Sequence, residues 1–104
     1  MIPCTCMVQR GQVPDDSADV LRDRLQAFSR DAFGEPMDIR WVTIAPGMGF
    51  TAGRPSTSSI VSVTANAPVE QPRRVALMNA LCDLWMEETR CSVDEIVAVL
   101  SDPR

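Results

Sequence analysis

The sequence predicts an α/β fold, a two-layer α+β sandwich in which duplicated β-α-β units form a four-stranded mixed sheet with two helices on one face. The 104 residues suit one domain, and 45% of them are hydrophobic while 23% are charged, as in a folded globular protein. The second half of the chain repeats the pattern of the first half, with units at about residues 3–44 and 59–100 of a domain spanning 1–104. Each unit reads as a strand, a helix and a strand.

The repeat appears in the first and last strands of each unit. An offset of 56 residues places residues 4–8 on residues 60–64, and residues 38–44 on residues 94–100. The same offset superposes the apolar positions of the two helical segments, namely Leu21 on Leu77, Leu25 on Leu81 and Phe28 on Leu84. Because apolar residues recur at helical spacing in both halves, each helix is expected to press one stripe against the sheet.

Capping residues predict where the helices begin and end. Residues 15–17 are Asp, Asp and Ser, whose side-chain oxygens can cap the first helix, and Gly34 supplies a left-handed C-terminal cap before Pro36. Pro72 opens the second helix, because proline fits the first helical turn.

Two further segments predict a hairpin and an oligomer. Residues 45–59 are rich in Gly, Pro and Ser, which indicates a loop or short hairpin, and their glycines match no phosphate-binding pattern. Residues 96–100 are apolar at every position, as in a strand buried on both faces. Because both helices lie on one face, the other face is predicted to be covered by another copy of the chain in an obligate homo-oligomer.

The composition excludes several function classes. The chain has no His, no Lys and no Tyr, so it has no Ser-His or Cys-His nucleophile pair, no Schiff-base lysine and no P-loop lysine. The usual imidazole ligands of zinc are missing too, and no metal or cofactor is predicted. A net charge of -4 argues against nucleic acid and anionic membrane as partners.

The four cysteines and the lack of a long apolar run predict a cytoplasmic protein. No apolar run approaches the roughly 20 residues of a membrane span, and no signal peptide is recognisable at the N-terminus. The cysteines form no C-x-x-C pair and are expected to remain thiols. Cys4 and Cys6 point to one face of a strand, where small core side chains are the preferred interpretation over a thiol pair or soft-metal site.

Three residues are candidates for ligand binding. Arg40 lies in an otherwise apolar strand, where an arginine either binds an anion or lies at an exposed rim. Arg10 follows the first strand and is either a ligand contact or a solvated loop residue. Phe50, in the Gly-rich segment, either walls a pocket or packs across a subunit boundary.

Two segments carry a resemblance to a known family. Residues 31–36 (DAFGEP), followed by Ile39-Arg40-Trp41, resemble the malonate semialdehyde decarboxylase branch of the tautomerase superfamily. Residues 40–53 (RWVTIAPGMGFTAG) are similar to the corresponding stretch of 4-oxalocrotonate tautomerase. The duplicated unit also resembles that of macrophage migration inhibitory factor, another branch of this superfamily, and the likeness covers most of residues 3–100.

This resemblance implies a cofactor-independent isomerase built as a homotrimer, with pockets at the subunit interfaces. Its substrate would be a small 2-oxo acid or the enol of one. The implied general base is an N-terminal proline, whose secondary amine acquires a near-neutral pKa in an apolar pocket. The implied substrate-binding residues are Arg40, Phe50 and Arg10, with an arginine holding the carboxylate.

The chain departs from this pattern at the proline, because Met1 and Ile2 precede Pro3. While Ile2 is attached, the Pro3 nitrogen is an amide that cannot accept a proton. Pro3 is therefore predicted as the catalytic base only if Met1 and Ile2 are removed. Two functions remain open: a keto–enol tautomerase, with Pro3 or a substitute amine or acid as base, and a non-catalytic trimer that binds a small ligand or is structural.

Overall fold

Two parallel β-α-β units, joined by a small hairpin, make up the computed structural model, which describes all residues from Met1 to Arg104. The strands are β1 (Ile2–Gln9), β2 (Met37–Ile44), β3 (Phe50–Thr51), β4 (Arg54–Pro55), β5 (Ser59–Thr64) and β6 (Ile96–Ser101). The helices are α1 (Ala18–Phe33) and α2 (Gln71–Thr89), and a 3₁₀ turn at Val93–Glu95 precedes β6.

The main sheet has four strands in the order β2-β1-β5-β6. Each unit contributes a parallel pair, β1 with β2 and β5 with β6, and the two units meet through the antiparallel pair of β1 and β5. Both crossover helices pack on the same face, as right-handed connections require. The predicted mixed four-stranded sheet with two helices on one face is confirmed.

The strand register refines the internal repeat. The central antiparallel ladder joins residues 4–7 to residues 60–63. These are the same two segments that the offset of 56 superposes. In the outer strands Pro3 lies opposite Asp38 and Ser59 opposite Ile96, so β6 is displaced from β2 by 58 residues and not by 56. The alignment of the last strand was wrong by two residues, a shift that keeps each side chain on its face.

Helix α1 ends as predicted, although its start differs in detail. Gly34 has a φ of 73° and donates its backbone N–H to the Arg30 carbonyl at 2.9 Å. Glycine suits this left-handed position because it has no Cβ. At the other end Ser17 is the N-cap residue, but its side chain makes no capping hydrogen bond. Its hydroxyl instead lies 3.4 Å from the Asp16 carboxylate.

The hydrophobic core lies between the sheet and the two helices. Alternate strand residues from Ile2 onward face the helices, and the fully buried helix residues Leu21, Leu25, Leu81 and Trp85 cover them. Cys4 and Cys6 are both buried there, with their Sγ atoms 3.7 Å apart, and all four cysteines are free thiols. The neighbouring Cys4 thiol and burial both raise the pKa of Cys6, which keeps that thiol protonated.

The opposite side of the sheet, which we call the open face, carries no helix. Five of its large apolar side chains are exposed in one chain: Met7, Val42, Ile60, Val97 and Val99. Strand β6 was predicted to be buried on both faces, and Val97 and Val99 are the residues that remain uncovered in one copy. Neither α1 nor α2 has the length and apolarity that a membrane-crossing helix needs.

Candidate functional site

Pro3, Asp38 and Arg40 lie together on the open face. Pro3 pairs with Asp38 across β1 and β2, and Arg40 follows two residues later opposite Thr5. Strand geometry places the Cα atoms of Pro3 and Arg40 on the order of 8 Å apart. Two of the predicted site residues are therefore neighbours in one chain.

The Arg40 guanidinium is free enough to bind a ligand. Its Nε lies 3.6 Å from the Asp38 carboxylate, and the Arg40 side chain is 78% exposed. An exposed ion pair of this length contributes little to stability, because water and salt screen it. Arg40 can therefore exchange this contact for one with a bound carboxylate, and Asp38 can exchange it for one with a bound hydroxyl.

The Pro3 nitrogen is bonded to a residue that belongs to the core. Ile2 is 0% exposed and packs with Met37 and the central β1 side chains. Its backbone N–H donates to the Pro36 carbonyl at 2.9 Å, which starts the β1–β2 ladder. The residue before Pro3 is thus integrated into the fold and holds the proline nitrogen as an amide.

A second charged group lies at this end of β1. The Met1 amino group lies 3.0 Å from Oε1 of Glu35, and the Asn66 amide donates to Oε2 of the same carboxylate at 2.6 Å. These contacts, with Asn66 the larger cause, hold the pKa of Glu35 below its usual value. Glu35 and Asn66 together fix the segment in front of Ile2.

Phe50 lies on a hairpin beyond the end of β2. The hairpin consists of β3 and β4 and turns at Ala52 and Gly53, so the predicted hairpin in residues 45–59 is confirmed. Phe50 is 63% exposed and does not belong to the core cluster. The base of the hairpin is fixed because the Gln9 side-chain amide donates to the Ser56 carbonyl.

Arg10 lies away from Pro3 and Arg40, at the end of the sheet where β2 leads into the hairpin of Phe50. It follows β1 at the end opposite to Pro3, and it lines a cavity of about 320 Å³ on the helix side of the sheet. A smaller, more polar cavity of about 200 Å³ lies between the end of α2 and the start of β5. No group of three or more Asp, Glu or Cys side chains is placed to hold a metal ion.

Asp38 is a site residue that was not among the candidates predicted from the sequence. The structure places Asp38 on the face that carries Pro3 and Arg40. The signal was present in the sequence, because residues 38 and 40 of one strand must share a face.

Solved structures with the same fold include the following three proteins. Native Ps01740 aligns with a TM-score of 0.86 at 22% identity, covering 97% of this chain and 93% of that one. A fused 4-OT symmetric trimer aligns with a TM-score of 0.83 at 18% identity, covering 97% and 85%. Pt0534 inactivated by 2-oxo-3-pentynoate aligns with a TM-score of 0.81 at 20% identity, with the same coverage.

The comparisons confirm the resemblance at the level of the fold. The chain has the fold of tautomerase-superfamily proteins over almost its whole length. No protein-family model matches the chain, and no curated protein matches it either.

Proposed function

We propose that this chain interconverts the keto and enol forms of a small 2-oxo acid, at pockets formed between copies of the chain on the open face. The observation that carries the proposal is the grouping of Arg40, Asp38 and Pro3 on an apolar sheet surface that lacks a cover. A homotrimer would cover this surface and enclose the three residues. The fused 4-OT structure is itself a symmetric trimer, which supports this assembly.

Arg40 would bind the substrate. Its guanidinium can hold a carboxylate through two parallel hydrogen bonds and stabilise the negative charge of the enolate. Phe50 would wall the pocket from the hairpin of a neighbouring copy, since it projects away from its own core. Arg10 remains a predicted substrate contact that would need a neighbouring copy, because it lies on the other side of the sheet in its own chain.

Tautomerisation also needs a group that moves a proton between carbon and oxygen. The Pro3 nitrogen becomes a base only after Met1 and Ile2 are removed. With Ile2 attached, the Asp38 carboxylate is the acceptor closest to Arg40, at 3.6 Å, and can serve as the substitute base. It would take the proton from the carbon beside the carbonyl while Arg40 holds the enolate, and would deliver it to the enolate oxygen to give the enol; the reverse steps give the keto form.

A second function is favoured by one observation, the complete burial of Ile2. Removal of Met1 and Ile2 would delete a core side chain and the first bond of the β1–β2 ladder. A chain that keeps this dipeptide would have no proline base, and if Asp38 does not take over proton transfer it would bind the small acid without converting it. We expect either function in the cytoplasm, as the sequence predicts.

Intact mass spectrometry of protein from its native source, with kinetics on the enol of phenylpyruvate, tests these alternatives. Loss of Met1 and Ile2, with a rate that falls about 100-fold or more in Pro3→Ala, would establish the proline base. A full-length mass with a similar fall in Asp38→Asn would establish the carboxylate. Labelling by 2-oxo-3-pentynoate at the N-terminal residue would support the first outcome alone.

Arg40→Gln tests substrate binding separately from proton transfer. We expect carboxylate affinity to fall about tenfold or more, because a charged hydrogen-bonded pair is lost. Arg22→Gln is the matched control, since Arg22 is also an exposed arginine in a loose ion pair, 3.5 Å from Asp19. Binding without ketonisation in the full-length protein would select the non-catalytic function, and absence of any binding would overturn both.

A further inference from the structure

The helix-side cavity has the features of a second binding site, separate from the open face. It lies where β1 and β2 end beside the start of α1, and its apolar wall consists of Val8, Val13, Ala18 and Trp41. Its volume of about 320 Å³ is at the lower end of the range for small-molecule pockets. The sheet separates it from Arg40, which lies on the open face.

Arg10 is the only ionised residue in the cavity lining. Its guanidinium makes no ion pair and no side-chain hydrogen bond within the chain, whereas Arg22, Arg24, Arg40 and Arg74 all contact carboxylates. In a chain of net charge -4, an arginine without an acidic partner beside an apolar cavity is available to an external anion. The cavity therefore complements a ligand with one negative charge.

Trp41 indicates which chemical group the ligand would carry beside its negative charge. One part of its indole packs against Trp85, with ring centroids 6.1 Å apart, while the side chain lines the cavity and stays 40% exposed. The buried Trp85 fixes the position of Trp41, so the indole offers a rigid flat surface. Flat aromatic groups pack favourably against such a surface.

From these observations we propose that the helix-side cavity binds a small aromatic monocarboxylate. The carboxylate binds the Arg10 guanidinium, and the aromatic ring packs against Trp41 and the aliphatic wall. Thr43, whose hydroxyl makes no hydrogen bond within the chain, lies in the lining as a further polar contact. This site goes beyond the proposed keto–enol activity, and it gives Arg10 a role within its own chain in place of the substrate contact to a neighbouring copy.

Phenylacetate is the probe, and phenylacetamide is its neutral counterpart of similar shape. Titration of the full chain, followed by tryptophan fluorescence and calorimetry, should give saturable phenylacetate binding that is about tenfold tighter than phenylacetamide binding. Arg10→Gln should abolish this preference. Arg30→Gln is the matched control, because Arg30 is another exposed arginine without an ion pair, and it should leave both affinities unchanged.

Two more variants keep the proposal falsifiable. Ala18→Leu should fill the cavity and weaken both probes. In Arg40→Gln the tryptophan fluorescence titration, which reports the helix side through Trp41 and Trp85, should stay unchanged even though carboxylate binding at the open face falls, which separates the two sites. Equal binding of the acid and the amide, unchanged phenylacetate affinity in Arg10→Gln, or absence of saturable binding would each overturn the proposal. An equal effect of Arg40→Gln and Arg10→Gln would also overturn it, since the two arginines would then serve one site.

Discussion

Adjacent residues at the start of β1 serve opposite faces of the sheet. Ile2 fills the core, and Pro3 lies beside Asp38 on the open face. The backbone alternation of a strand forces this division. Freeing the Pro3 nitrogen for proton transfer would therefore require removal of Ile2, whose side chain fills a position in the core.

Ile2→Ala measures the packing contribution. We expect the free energy of unfolding to fall by about 2 to 5 kcal/mol, because a fully buried aliphatic side chain is truncated. Val75→Ala, which changes an exposed side chain on α2, should alter it by less than about 0.5 kcal/mol. Denaturant unfolding checks both, and equal small effects would show that Ile2 is not part of the native core.

Asn66→Ala tests the electrostatics around Glu35. The variant removes the larger of the contacts that depress the pKa of Glu35, so the pKa should rise toward its ordinary value, as followed by carbon-13 NMR titration. Because the folded-state pKa is depressed, this carboxylate stabilises the native chain above its ordinary pKa. That contribution is lost as the pH falls through the folded value. A Glu35 titration that is identical in both proteins would contradict the assignment.

At the scale of single elements, Gly34 and Ala52 both have a left-handed backbone, and substitutions at these two positions should have opposite effects on stability. Gly34 caps α1 at a φ of 73° with open space around its Cα, so Gly34→Ala should destabilise the chain by about 1 kcal/mol through backbone strain alone. Ala52 holds a φ of 51° in the hairpin turn, so Ala52→Gly should not destabilise it in the same way. Thermal unfolding of the two variants compares them, and equal losses would refute the strain argument.

The elements could be predicted where local chemistry determines them. Gly34 ended α1 and Pro72 opened α2 as expected, because caps and prolines act within one turn. Ser17 did not use its side chain as a cap, since its hydroxyl lies near Asp16. The two-residue displacement of β6 was missed, although the capping box of Ser92 and Glu95 that holds the 3₁₀ turn before β6 is local in the sequence.

At the scale of the whole molecule, the open face should govern assembly. Val99→Asp places a charge on this surface and should break the predicted trimer into folded monomers, as light scattering with circular dichroism would report. Val75→Asp is the control, because Val75 is an exposed valine on α2, outside the open face. A Val99→Asp protein that keeps the mass of the unmodified assembly would show that copies do not meet there.

The candidate site was predictable from the sequence where its residues lie on one strand. Arg40 was identified because it interrupts an apolar strand, and its grouping with Asp38 follows from strand alternation. The helix-side location of Arg10 was not predictable, because it depends on how the chain turns after β1 toward the start of α1. Sites that rest on one strand can be inferred from a sequence, whereas sites that rest on several elements require the assembled fold.

The junction between the two β-α-β units suggests how the protein could be divided. Besides the peptide connection through the exposed turn at residues 52 and 53, the halves are joined by the β1–β5 ladder, a shared core and the contacts of Arg24 with Glu87 and Glu88 at 2.7 and 2.8 Å. Proteolysis at that turn should leave two fragments that copurify. Each fragment, made separately, should recombine with the other into a native-like molecule.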